Sequence, residues 1–322
     1  MSAFISIILG VLEEGLVYSI MAMGVYITYK ILDFPDLSVD GTFPLGSAVT
    51  AVLIIAGVNP VLTLPISFLI GACAGMLTGL IHVKLKVRDL LSGIIMMTAL
   101  YSINLRIAGR ANLPIFSQQT IFKNDLIKKV VPEVLQPYTM LLLLLLITIL
   151  MKLLLDGYLK TKSGYLLRAV GDNEVLVTAL AKDKGTVKIV GLAIANAFVA
   201  LAGSIYAQKS GFFEISTGTG TIVIGLASVI IGTNLFKKSP LMKSNIQFKK
   251  GVLKRVNYLM KKGITVKATT AVIVGAILYK ACVALAIAAG MGASDLKLIT
   301  ALLFLVILVI SNDRKRRVKA ND

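Results

Sequence analysis

Long stretches without formal charge alternate along this chain with short, strongly basic connections. Gly41 to Val83 holds no Lys, Arg, Asp or Glu over 43 residues, Ile189 to Gln208 none over 20, and Ile215 to Phe236 none over 22. A surface helix of a soluble domain carries polar residues on one face, so such runs predict helices that are apolar all round. At about 1.5 Å per residue, each is long enough to cross a hydrocarbon core about 30 Å thick. The pattern places segments near Phe4–Tyr29, Leu45–Val58, Leu62–Val83, Leu90–Ala108, Tyr138–Leu155, Val187–Gln208, Thr219–Leu235, Ala268–Ala289 and Lys297–Ser311. The fold class is therefore all-α, a polytopic transmembrane helical bundle of about eight or nine spans. The second segment is short, and Asn59-Pro60 and Pro65 break the run after it, so it is either a short crossing or a re-entrant half-helix buried in protein.

Composition supports the same class. The 322 residues are 57% hydrophobic with no Trp and 8 Pro, which excludes a disordered chain, and two cysteines exclude a disulfide scaffold. Cys73 and Cys282 lie inside apolar runs and are expected to pack as small buried hydrophobes. Lys and Arg number 34 against 16 acids, a net charge of +18, and 26 of those 34 fall in connections reached after odd numbers of spans. Basic loops resist translocation, so that face is expected to be cytoplasmic, with the N-terminus outside and the C-terminus inside. The first basic residue is Lys30, so no signal-peptide n-region is present and the first segment is expected to stay. The domain reading is a transmembrane unit over 1–312, with cytoplasmic loops 156–186 and 236–267, and a basic tail over 313–322. Loop 236–267 carries ten Lys and Arg and no acid. Its aromatics are too few for nucleic-acid binding, and anionic lipid contact or topology setting is the expected role.

No phosphate loop G-x-x-x-x-G-K-[ST], H-E-x-x-H or G-x-S-x-G occurs, and there is one histidine, His82. Bond chemistry, a bound metal and a cofactor on this chain are thus not expected. Active transport would need an ion gradient or a separate ATPase. Attention shifts to the loop between spans five and six. There Asp172 or Asn173 can cap a short amphipathic helix that has Glu174 in its first turn, runs through Leu176 and Leu180, and stops at Gly185. Such a helix either lies in the membrane interface or docks into a groove on a soluble partner.

Gly171-Asp-Asn-Glu174, Ala179-Leu-Ala-Lys-Asp-Lys-Gly185 and the span from Ile189 to Gly203 resemble the coupling-helix region of ABC importer permeases of the branched-chain amino acid and ribose type. The run from Tyr26 to Gly46, with Asp33-Phe-Pro-Asp-Leu-Ser-Val-Asp-Gly-Thr42 at its centre, is similar to the tryptophan/tyrosine-type uptake branch of that family. The likeness covers most of the chain from Leu12 to Ser311, with the basic stretch from Lys237 to Lys262 longer than the family pattern. It implies a permease subunit in the plasma membrane, paired with a second copy. A separate ATPase carries ATP and Mg²⁺ and docks at Gly171, Asp172, Asn173, Glu174, Leu176, Leu180 and Gly185. An extracytoplasmic solute-binding protein meets the loops around Asn112–Gln136 and Ser210–Gly218. The implied cargo is a small solute, an aromatic or branched-chain amino acid.

Read from the residues alone, Gly41-Thr-Phe-Pro-Leu-Gly-Ser-Ala48 and Gly220-Thr-Ile-Val-Ile-Gly-Leu-Ala227 share the pattern G-T-x-x-x-G-x-A ahead of segments of opposite direction. That is what an inverted repeat requires, and transporters place solute paths at repeat interfaces. Chance similarity in Gly-rich membrane sequence is the alternative. If span two is re-entrant, Asp36, Ser38, Asp40, Gly41 and Thr42, with Gly220 and Thr221, are candidates for the solute path; otherwise the aspartates are solvated turn and cap residues. Gly71, Gly75 and Gly79 form a close-packing ridge, and Asn104, Arg106 and Asn196 are expected to hydrogen-bond inside the bundle. Lys280 needs a partner or a route to water. With Glu13 or Glu14 it supports the competing reading, a gradient-driven transporter.

Overall fold

The computed structural model describes residues 3–124, 132–173, 177, 183–236, 267–290 and 295–319. Among these, helices dominate: α1 (Ala3–Val25), α2 (Val39–Ile55), α3 (Pro60–Val83), α4 (Asp89–Ala108), α5 (Thr139–Tyr158), α6 (Lys162–Asp172), α7 (Lys184–Ser210), α8 (Thr221–Leu235), α9 (Ala268–Ala288) and α10 (Leu296–Lys319). Among the described residues, seven helical stretches are long and apolar enough to cross a membrane, and the second and ninth predicted segments are the shorter apolar helices Val39–Ile55 and Leu298–Val309. Leucines such as Leu69, Leu77, Leu146, Leu150 and Leu153 face outward. That outward apolar face suits lipid as solvent and not water. Cys73 and Cys282 are on this outer surface too. The expectation that they are buried is corrected, because an apolar run in a membrane protein does not say which face looks inward.

The bundle is organised around α7. Between Gly191 and Gly203 it is built largely of Gly and Ala, and nearly all of that stretch is buried. Small side chains let neighbouring backbones approach closely. A Cβ at Gly71 or Gly75 of α3 would collide with the α7 backbone around Asn196 and Leu192, so the glycine ridge is a packing face. Gly46 of α2 lies against the Ala200 carbonyl, and Gly203 of α7 against the Phe43 carbonyl. α1 runs down the other side of α7, with Tyr18 edge-on to Tyr206 and Gly24 against Ala195.

α1 does not end cleanly. It passes into a π-helical turn, Tyr26–Ile31, with Leu32 N–H donating to the Ile27 carbonyl at 3.0 Å. Asp33 then takes φ +52°, a left-handed conformation that Asp tolerates, and Pro35 prevents helix from resuming at once. The chain re-enters helix at Val39, deep in the bundle: Ser38 lies beside Asn196, which stands about 18 Å along α7 from Lys184. The second segment is thus a short helix that starts inside the protein. At the far end, β1 (Asn112–Pro114) and β2 (Phe212–Glu214) pair antiparallel and bring together the two loops expected to meet a binding protein.

Candidate functional site

α8 also starts inside the protein. After β2 the chain turns through Ile215–Gly218 and reaches Gly220, whose φ of +86° suits glycine and allows the abrupt entry into α8. α7 and α9 fix its direction. α2 runs parallel to α7, from Ser38 at Asn196 to Thr50 at Ser204, while α1 runs antiparallel to both α7 and α9. α8 is antiparallel to α9, with Gly232 at Ala271 and Ser228 at Gly275. α2 and α8 therefore leave a common interior point in opposite directions, and the two G-T-x-x-x-G-x-A motifs form those two beginnings.

Asp40 joins them. Its Oδ2 accepts the Gly220 N–H at 2.9 Å, and its Oδ1 accepts the Thr221 hydroxyl at 2.9 Å and the Ile222 N–H at 2.8 Å. A carboxylate on α2 thus caps α8 across 180 residues of sequence, where free N–H groups and the helix dipole favour negative charge. Pro44 reinforces the junction. It has no N–H for the Asp40 carbonyl, which packs instead against Gly218.

The other path candidates gather in the same region. Asp36 is buried; its Oδ1 accepts the Ser38 N–H at 2.9 Å and the Ser38 hydroxyl at 2.6 Å, and its Oδ2 accepts Asn196 Nδ2 at 2.8 Å. Thr42 donates to the Ser38 carbonyl and Asn104 Nδ2 to the Gly41 carbonyl, both at 3.0 Å. Of the three nearby aspartates only Asp33 is exposed, so the solvated-turn reading fits that residue alone. Asn104 and Asn196 do hydrogen-bond inside the bundle, as expected, whereas Arg106 is exposed, because its position on α4 faces outward. What the sequence did not signal is that Asn196 serves Asp36, or that Thr50, Ser67 and Ser204 form a buried hydroxyl cluster about 12 Å further along α7. A cavity of about 260 Å³ opens between α2, α4 and the Ile215–Thr219 turn, with Asp40, Gly41, Thr98, Tyr101 and Asn104 in its wall.

The remaining charges find partners. Lys280 approaches Glu14 to 3.0 Å and lies 3.8 Å from the centre of the Tyr18 ring, while Lys209 stands 3.6 Å from Glu13. Among the described residues no three His, Cys, Asp or Glu side chains converge as metal ligands.

At the basic end, the structure corrects the local reading of the loop. Asp172 closes α6, a helix not anticipated, whose Gly171 packs against the Ile31 carbonyl. Asn173 follows as its C-cap and accepts the Val177 N–H at 3.5 Å. Gly185 does not stop a helix. It lies in the first turn of α7, which is capped by Asp183 accepting the Gly185 and Thr186 N–H groups at 2.9 and 3.2 Å. Hydrogen bonds from the Thr186 hydroxyl and these amides hold the Asp183 carboxyl below its ordinary pKa. Glu174, Leu176 and Leu180 lie outside the described residues.

A lipid-facing helical bundle whose two opposed half-helices start at one half-buried carboxylate, beside a cavity, defines a polytopic membrane transport protein. Its family is the branched-chain amino acid transport system / permease component family, whose model matches residues 7–311, and the chain belongs to it as a transport subunit and not an enzyme. It is 40% identical over 305 residues to a tyrosine transport system permease protein of Clostridioides difficile, covering 95% of this chain and 91% of that protein. An uncharacterized protein of Rickettsia prowazekii is 33% identical over 232 residues, 72% of this chain and 78% of its own length. A probable branched-chain amino acid transport permease of Methanocaldococcus jannaschii is 28% identical over 229 residues, 66% and 70% of the two chains. No solved structure matches significantly.

Proposed function

We propose that this chain is the transmembrane subunit of an ATP-driven importer for an amino acid of the aromatic or branched-chain class. It sits in the plasma membrane with its N-terminus outside and works as a homodimer. A separate ATPase docks at the basic end, around Gly171–Asn173 and the segment up to Gly185. An extracytoplasmic binding protein delivers solute to the β1–β2 end, and solute passes by Asp36, Ser38, Asp40, Gly41, Thr42, Gly220 and Thr221. The observation that carries this reading is the Asp40 junction: two half-helices of opposite direction pinned at one point, next to a cavity. Broken helices that meet inside a bundle are where transporters bind solute and alternate access. The orientation rests on the excess of Lys and Arg at one end, and the amino acid class on the relatives' names.

The test is purification of the tagged full chain in mild detergent, identification of its co-purifying proteins, and uptake of labelled tyrosine and leucine by proteoliposomes holding the recovered complex. A stoichiometric P-loop ATPase and uptake that needs ATP are expected. Uptake that collapses with an uncoupler while ATP persists would instead favour the gradient-driven transporter, working through Glu13, Glu14 or Lys280.

A further inference from the structure

We infer that the cavity beside Asp40 binds the protonated amino group of the transported solute, an inference that rests on the transport reading above and names the chemistry of its site. Asn104 is buried in the wall of this cavity, and its Oδ1 meets no donor among the described residues. The side-chain orientation is fixed, because Nδ2 donates to the Gly41 carbonyl at 3.0 Å and a carbonyl can only accept. An amide flip would place oxygen against oxygen. Oδ1 is thus an acceptor that lacks a donor, a costly state for a buried group unless something else supplies one.

Thr98 and Asp40 have the same polarity, while the Tyr101 and Thr219 hydroxyls in the wall can donate or accept. Thr98 spends its hydroxyl hydrogen on the Ile94 and Ile95 carbonyls, at 3.0 and 2.9 Å, so only its lone pairs remain. Asp40 adds a carboxylate, and no Lys or Arg lines the cavity. The usual expectation for broken helices is that their N-termini receive a solute carboxylate. Here the α8 N-terminus is already occupied by Asp40, which leaves acceptors and negative charge facing the cavity. The complement is a cation with several N–H donors. An ammonium group has three, and the half-exposed Tyr101 ring can add a cation–π contact. Met97, Pro44 and Ile215 supply apolar wall for a side chain. The volume lies just under the roughly 300 Å³ at which small-molecule pockets begin, a size for one amino acid and not for a peptide.

The chain has no Trp, so Tyr101→Trp creates a single fluorescent reporter at this wall. In the full chain assembled with its partners in nanodiscs, with the complex that keeps Tyr101 as the blank for any partner Trp, the probes are tyrosine, tyramine and 3-(4-hydroxyphenyl)propanoate, then leucine, isopentylamine and 4-methylpentanoate. Saturable changes with the amino acids and amines, and none with the acids lacking nitrogen, are expected. Adding Asn104→Ala should weaken amine binding on the order of 10- to 100-fold. Acids binding as tightly as amines, or unchanged amine affinity in a folded Asn104→Ala protein, would overturn the inference. Should that variant fail to fold, the probe series on Tyr101→Trp decides alone. ATP-dependent uptake by the complex with a Trp silent to every amine refutes the amino-group site and leaves the importer standing. A Trp that reports amines in a complex without ATP-dependent uptake refutes the importer and leaves the site.

Discussion

Replacing Asp40 removes a side chain that ties both half-helices together. In Asp40→Ala the Gly220 and Ile222 N–H groups, now bonded at 2.9 and 2.8 Å, lose their acceptor inside the bundle. Each such orphan costs about 1–3 kcal/mol, and loss of the charge at the helix N-terminus adds up to about 2. The Thr221 hydroxyl adds little, because it already reaches the Gly218 carbonyl at 3.0 Å. The total is about 2–8 kcal/mol, a large share of a typical folding stability. Asp40→Asn keeps one acceptor oxygen and gives up the charge, so about half that loss is expected. Since Cys73 and Cys282 already face outward and cannot report unfolding to a thiol dye, the melt is read as the fraction of tagged protein that still elutes as a sharp size-exclusion peak after heating. The expected order is wild type above Asn above Ala, with the Ala variant lower on the order of 10 °C. An Ala variant that melts with the wild type, or above the Asn variant, would show that the α8 amides have another acceptor and that the junction is misassigned.

Gly203→Ala places a Cβ on the Phe43 carbonyl and should destabilise by about 1–3 kcal/mol, whereas Gly157→Ala, with open space around it, should be neutral or mildly stabilising in the same melt. Glu14→Gln strands Lys280, 12% exposed, while Lys280→Met strands Glu14, 45% exposed. The first should therefore cost more, and the double variant less than the sum; strict additivity in a double-mutant cycle would deny the pair. Asp183, with its pKa depressed when folded, stabilises above the ordinary carboxylate pKa, and that contribution is lost as pH falls through the folded value. Asp183→Asn should flatten the acid limb of the melt-against-pH curve, and an unchanged limb would remove the cap from consideration.

The hydrophobic pattern located the membrane helices because a run apolar on every side has few other stable environments. It also singled out the second segment, since Asn59-Pro60 limits its length. The partners of Asp40 were harder to read. Nothing in local spacing links it to Gly220, and only the repeated G-T-x-x-x-G-x-A pattern pointed at both places. α6 was missed because Lys162, Gly164 and Arg168 resemble loop composition, although Leu167 and Val170 bury one face of it. The misplacement of Gly185 has a related cause: glycine ends many helices, but here the Asp183 cap starts one two residues earlier. The cysteines were misjudged because in lipid an outward side chain is as apolar as an inward one. Asn196 was legible as a buried polar group, yet its service to Asp36 depends on α2 starting at depth, which no single stretch of sequence states.

The glycine contacts of α7 have a mechanical meaning. Side chains between helices act as springs, since rotamers can shift and absorb a displacement before it reaches the next element. At Gly46, Gly71, Gly75 and Gly203 there is no such cushion, because backbone rests on backbone. A push on α7 from its Lys184 end therefore cannot be taken up locally. Such a push would meet α3 about 12 Å along, at Leu192, and α2 about 24 Å along, at Ala200. In the importer proposed above, the central helix would serve as a push-rod, and a single added methyl group along it would act as grit in the bearing.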